Sequence, residues 1–158
     1  MREVVELLIQ NNKIISTMES CTGGSVAGAI TNVEGASEII KFSAVTYSNE
    51  FKIKMGVDKN IIDKYTVYSM QTADEMSKNI SNFTNSNYGV GITGQINKMD
   101  PNNITNDNNK IYISIYDKDN NEFYNEVMEA IDSSREENKK VIITKIEEML
   151  KSIIKSDI

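Results

Sequence analysis

Apolar positions divide this chain into short segments that switch between helical and strand periods. Residues 2–10 set Val5, Leu7, Leu8 and Ile9 among acids, the pattern of a short amphipathic helix that Asn11-Asn12 ends. Residues 13–20 are β-branched and alternate only loosely, which predicts a strand buried on both faces. After Gly23-Gly24, residues 25–30 read as a helix of small side chains able to lie close to a sheet, and residues 32–36 as a turn hinged at Gly35. A second strand is predicted over residues 38–48 from Ile39, Ile40, Phe42, Val45 and Tyr47. Short helices are expected over 49–55 and 59–65. A longer one over 69–83 is capped by Ser69 and repeats Ala73, Met76, Ile80 and Phe83 at helical spacing.

Residues 88–93 form a compact strand pattern. Residues 110–116 alternate Ile111, Ile113 and Ile115 with Tyr112, Ser114 and Tyr116, and 122–130 can return antiparallel through Asn120-Asn121. The final helix, about 134–154, carries Val141, Ile142, Ile146, Met149, Leu150 and Ile153 on its apolar side. Early alternation of strands and helices followed by a late hairpin predicts an α/β fold. The expected architecture is a three-layer sandwich: a mixed central sheet, helices on both faces and a C-terminal helix, all in a single domain, 1–158. Residues 95–109 break the pattern, with six Asn and the only Pro, and a loop of that length in a small domain is usually functional or disordered.

Composition narrows the chemistry. The 158 residues include no His, one Cys and no Trp, which removes histidine triads, Cys-His pairs, thiolate clusters and disulfides from the options within one chain. A net charge of −6 disfavours nucleic-acid binding. No apolar run reaches the roughly 20 residues of a membrane span, and the first residues lack the apolar stretch of a secretory leader. A cytoplasmic protein without membrane partners is the expectation.

Chemistry-bearing residues fall in three places. Glu19-Ser20-Cys21-Thr22-Gly23-Gly24 lies at a strand-to-helix junction, where open α/β sheets bind ligands. There Ser20 and Thr22 offer hydroxyls, the glycines allow close backbone approach, and the following helix suits an anion or an oxyanion. An ordinary capped glycine turn has the same composition. Tyr47 and Lys52 flank the end of the second strand, and either can accept a proton from a serine if Lys52 is held neutral; with histidine absent, Ser with Lys or Tyr is the remaining familiar route to an activated nucleophile. Equally, Lys52 fits a surface position and Tyr47 a half-buried aromatic. Thr93-Gly94, after Gly89 and Gly91, marks either a close approach at a strand end or relief of packing under a helix. Arg135, one of two arginines, is suited either to solvent or to gripping phosphate. Cys21 reads as a small buried filler, and the carboxylates as surface groups.

Glu19-Ser20-Cys21-Thr22-Gly23-Gly24, Gly35-Ala36-Ser37, Val45-Thr46-Tyr47-Ser48-Asn49-Glu50-Phe51-Lys52 and Gly91-Ile92-Thr93-Gly94, with Arg135 before the closing helix, together resemble the CinA C-terminal domain family. That family includes nicotinamide-mononucleotide deamidases. The resemblance, in its stand-alone form, implies hydrolysis of the nicotinamide mononucleotide carboxamide to nicotinate mononucleotide and ammonia, with no metal or organic cofactor. It implies Ser20 as nucleophile and Lys52 and Tyr47 as proton-transfer partners. Thr22, Gly23, Gly24, Ser48, Thr93 and Gly94 would shape the substrate pocket, and Arg135 would meet the phosphate. It further implies a small-molecule nucleotide partner and a homo-oligomer, a dimer.

The chain departs from the family pattern in places. The family's glycine-rich loop after Thr-Gly is replaced by Gln95-Ile96-Asn97-Lys98-Met99-Asp100-Pro101, Ser43 stands for a Gly, and Ser77 and Asn79 replace an Ala and a Gly. These changes predict a rebuilt pocket wall opposite intact reactive blocks. The alternative they raise is a catalytically weak or inactive relative that binds a nucleotide or a protein partner.

Overall fold

A computed structural model describes residues 1–97, 101 and 109–158 of the chain. Helix α1 (Arg2–Gln10) leads into β1 (Ile15–Glu19), α2 (Ser25–Thr31) and a 3-10 turn (Ala36–Glu38). Strand β2 (Ala44–Val45), α3 (Asn49–Lys54), α4 (Lys59–Tyr65) and α5 (Met70–Thr84) follow. The chain finishes with β3 (Tyr88–Gly94), β4 (Lys110–Asp117), β5 (Glu122–Glu129) and α6 (Arg135–Ser156). The five strands form one sheet in the order β2-β1-β3-β4-β5; β1 runs parallel to β2 and β3, and the β3-β4 and β4-β5 pairs are antiparallel. This is the mixed three-layer α/β architecture expected from the pattern.

Side-chain alternation along the strands sorts the layers. Ile15, Val90, Ile92, Ile113 and Ile115 pack with Val4, Val5 and Leu8 of α1, Val26 and Ile30 of α2, and Ile142, Ile146 and Leu150 of α6. On the opposite face Met18 meets Met76 and Ile80 of α5 and Ile62 of α4. Every residue of β1 is buried, as a strand covered on both faces must be. Helix α5 starts where Ser69 accepts the Thr72 N–H, satisfying a free donor of the first turn. Gly89 and Gly91 lie beneath α5, and a Cβ on Gly91 would come 2.4 Å from the Ala73 carbonyl oxygen, so here the glycines serve helix-on-sheet packing.

The second strand and the apolar face of the last helix differ from expectation. The second strand is only Ala44–Val45, because residues 36–38 form a 3-10 turn and the edge strand gains few ladder bonds. Val141 is 38% exposed; the buried side of α6 runs through Asn138, Ile142, Ile146, Leu150, Ile153 and Ile154. Most of the irregular 95–109 stretch lies outside the described residues.

Candidate functional site

The carboxyl ends of β2, β1 and β3 come together at one edge of the sheet. The chain leaves β1 for β2 on one side and returns to β3 on the other, and ligands bind beside such a switch in strand order. Ser20 follows directly from β1; its N–H donates to the Ile92 carbonyl, while the Thr46 N–H donates to the Glu19 carbonyl. The register pairs Ser16 with Gly89 and Met18 with Gly91, so Ser20 and Thr93 fall on the same sheet face as α5.

Lys52 is brought to Ser20 by α3. Ser48 caps that helix by accepting the Phe51 N–H, and one turn later Lys52 points inward, 1% exposed. Its Nζ donates to Ser20 Oγ at 2.9 Å and to the Thr46 carbonyl at 2.8 Å. The surface alternative for Lys52 is therefore excluded. Thr46 Oγ1 is buried with no hydrogen-bond partner among the described residues.

Tyr47 is 64% exposed, and its phenol oxygen accepts from Arg135 at 3.2 Å. The same guanidinium donates to the Ile96 carbonyl at 2.9 Å, tying the start of α6 to the chain beyond β3. Buried Asn138 holds that start in place: its Oδ1 accepts the Ile131 N–H and its Nδ2 donates to the Ile131 and Ser134 carbonyls. Thr93 Oγ1 donates to the Val67 carbonyl at 2.7 Å, and a Cβ on Gly94 would strike Ile111 Cα at 2.7 Å. Ser48 is exposed as the cap of α3, and Thr22 Oγ1 donates to Glu19 at 2.6 Å. Ser20, Lys52, Thr46 and the Gly23-Gly24 turn thus form the inner site, with Tyr47 and Arg135 at its mouth.

Glu19 is the residue that sequence reasoning missed. Carboxylates were expected at the surface, yet Glu19 is fully buried and accepts the Val26 and Ala27 N–H groups at 2.9 Å each, plus the hydroxyls of Thr17 and Thr22. It occupies the positive end of α2, so that helix end is not open to a ligand anion, contrary to the expectation for it. The Gly23 N–H is also taken, by the Ser20 carbonyl. An acid just ahead of a Gly-Gly turn into a helix was the available signal. Gly23 and Gly24 adopt φ of +59° and +95°, which lets the chain reverse tightly between Ser20 and α2. Cys21 is buried as expected, and burial pushes its thiol up to about 12 against the opposing pull of Arg135.

Three of the substitutions expected to rebuild a pocket wall, at Ser43, Ser77 and Asn79, make contacts within the fold. Ser43 Oγ accepts the Thr17 N–H, Ser77 Oγ pairs with Ser114 Oγ at 2.9 Å under α5, and Asn79 donates to the Glu75 carbonyl. They are absorbed into strand-edge and helix-sheet contacts. Among the described residues, no group of three or more Cys, Asp or Glu side chains is placed to hold a metal ion, and no helix is long and apolar enough to cross a membrane.

Fold and site together define an α/β domain with a buried Ser-Lys pair at the carboxyl edge of its sheet. The chain belongs to the CinA family: residues 1–154 match the CinA C-terminal domain. A relative named as competence-damage inducible in Thermoanaerobacter sp. (strain X514) is 43% identical over 96 residues, 60% of this chain and 23% of that protein. A CinA-like protein of Desulforapulum autotrophicum is 42% identical over 94 residues, 59% of this chain and 22% of that protein. The matches thus take in less than a quarter of these relatives' length. Among solved structures, the competence/damage inducible protein CihA of Agrobacterium tumefaciens aligns with a TM-score of 0.83 and 26% identity over 96% of this chain and 93% of that one. A CinA superfamily protein of Klebsiella pneumoniae shares the fold at a TM-score of 0.89 and 18% identity, over 98% and 95%.

Proposed function

We propose that this chain is an amidohydrolase that converts nicotinamide mononucleotide to nicotinate mononucleotide and ammonia. The observation that carries this is the 2.9 Å contact between Lys52 Nζ and Ser20 Oγ in a water-poor setting at the sheet's ligand edge. Ser20 Oγ attacks the carboxamide carbon as its proton moves to the neutral Lys52 amine, the form that burial favours. The C–N bond then breaks, that proton passes to the leaving nitrogen, and ammonia departs from a Ser20 ester. Water attacks the ester with Lys52 again taking the proton, which returns to Ser20 Oγ as the acid leaves. Thr46 carries the carbonyl that holds Lys52, and its buried hydroxyl, without a partner among the described residues, is a candidate donor to the tetrahedral oxyanion.

Ammonia release from nicotinamide mononucleotide by the folded protein tests the proposal, with loss of release in Ser20→Ala locating the nucleophile. No ammonia above buffer from protein of confirmed fold would overturn it. A second possibility, nucleotide binding with little or no turnover, draws on Tyr47 facing Arg135 and on the Thr93 hydroxyl facing Val67. Saturable thermal stabilisation by the mononucleotide without product would favour it.

A further inference from the structure

We infer that Lys139 is the principal contact for the ligand's phosphate, held over the Gly23 turn with Arg135 beside it, and that the site is therefore built for a phosphomonoester. This rests on the mononucleotide proposal above and shifts the main phosphate contact away from Arg135. Arg135 and Lys139 are four residues apart on α6 and so share one helix face. That face meets the Ser20-Gly24 loop: a Cβ on Gly23 would stand 3.6 Å from Lys139 Nζ. The absence of a side chain at Gly23 leaves that ammonium beside open backbone.

What separates Lys139 from its neighbours is its lack of commitments. On the same helix Lys140, Lys145, Lys151 and Lys155 each pair with a glutamate. Lys139, half-buried, makes no ion pair or hydrogen bond among the described residues. Arg135 cannot present its full fork to a phosphate, because it already donates to Ile96 and Tyr47. The positive end of α2 is likewise taken by Glu19. In a chain of net charge −6, an ammonium uncommitted among the described residues and turned toward the ligand edge is well placed to meet a phosphate of charge near −2.

Calorimetric titration of the whole chain with ribose 5-phosphate tests this without requiring turnover. Lys139→Gln is expected to weaken binding about tenfold or more, as loss of a charge-assisted contact does. Lys139→Arg should stay near the wild-type affinity, and ion-paired Lys140→Gln should leave it unchanged. With nicotinamide mononucleotide, Lys139→Gln should raise KM far more than it lowers kcat. Wild-type affinity in folded Lys139→Gln, or no binding of ribose 5-phosphate by the wild type, would overturn the assignment. Lys139-dependent binding without ammonia release would support it while removing the amidase; ammonia release indifferent to Lys139→Gln would do the reverse.

Discussion

Replacing Glu19 by Gln tests whether a buried carboxylate organises the reactive loop. Each Glu19 oxygen accepts one backbone N–H and one hydroxyl: Oε1 takes Val26 N–H and Thr22 Oγ1, and Oε2 takes Ala27 N–H and Thr17 Oγ1. In the Glu19→Gln variant one of those oxygens becomes an NH2. The hydroxyl beside it can rotate and accept, but the backbone N–H cannot, so one buried donor loses its partner whichever way the amide lies. An orphaned buried donor costs about 1–3 kcal/mol, and losing the negative charge from the positive end of α2 adds about 0.3–1 kcal/mol. The expected loss, from these two contributions, is about 1–4 kcal/mol. At this chain length that lowers the melting midpoint by roughly 3–15 °C. Urea unfolding followed by far-UV circular dichroism would read it directly, with the slope unchanged. A loss under about 1 kcal/mol, below the cost of one orphaned donor, would show that the loop does not depend on the charge and geometry of this carboxylate.

Other outcomes follow from the same contacts. Gly91→Ala should destabilise by about 1–3 kcal/mol or more, since the added carbon would lie 2.4 Å from the Ala73 carbonyl oxygen and 2.6 Å from Ser77 N; an unchanged urea midpoint would contradict the packing. Cys21, its thiol raised to about 12 by burial, should stay protonated throughout the neutral range and resist a thiol reagent at about pH 8 until the chain is unfolded. Rapid labelling of native protein would contradict that. In the amidase assay, Lys52→Met should lower kcat by about 100-fold or more while the protein remains folded, as removal of a proton acceptor does. Tyr47→Phe should act mainly on KM, because the phenol meets Arg135; a loss confined to kcat would place it in proton transfer instead.

The elements were legible where local signals agree with tertiary demand. Ser69 ahead of a helical repeat marked the start of α5, and β-branched runs marked β1 and β4. The second strand was overextended because an apolar run of that length has the same composition whether it pairs with a neighbour or turns. Ser20 and Lys52 could be singled out from residue type, since so few other nucleophile-base combinations remained. Their contact could not, because it depends on α3 turning Lys52 inward across 32 residues of chain.

By itself the sequence determined the alternation of helices and strands, the absence of histidine chemistry and the location of the reactive blocks, because these depend on residue identity and short-range spacing. Tertiary structure alone decided which charges are spent within the protein and which face the ligand edge. Glu19 became the cap of α2, Arg135 a tie between Tyr47 and Ile96, and Lys139 a cation beside Gly23 with no partner among the described residues. A side chain's charge is written in its residue type, but its partner is set by packing between segments distant in the chain.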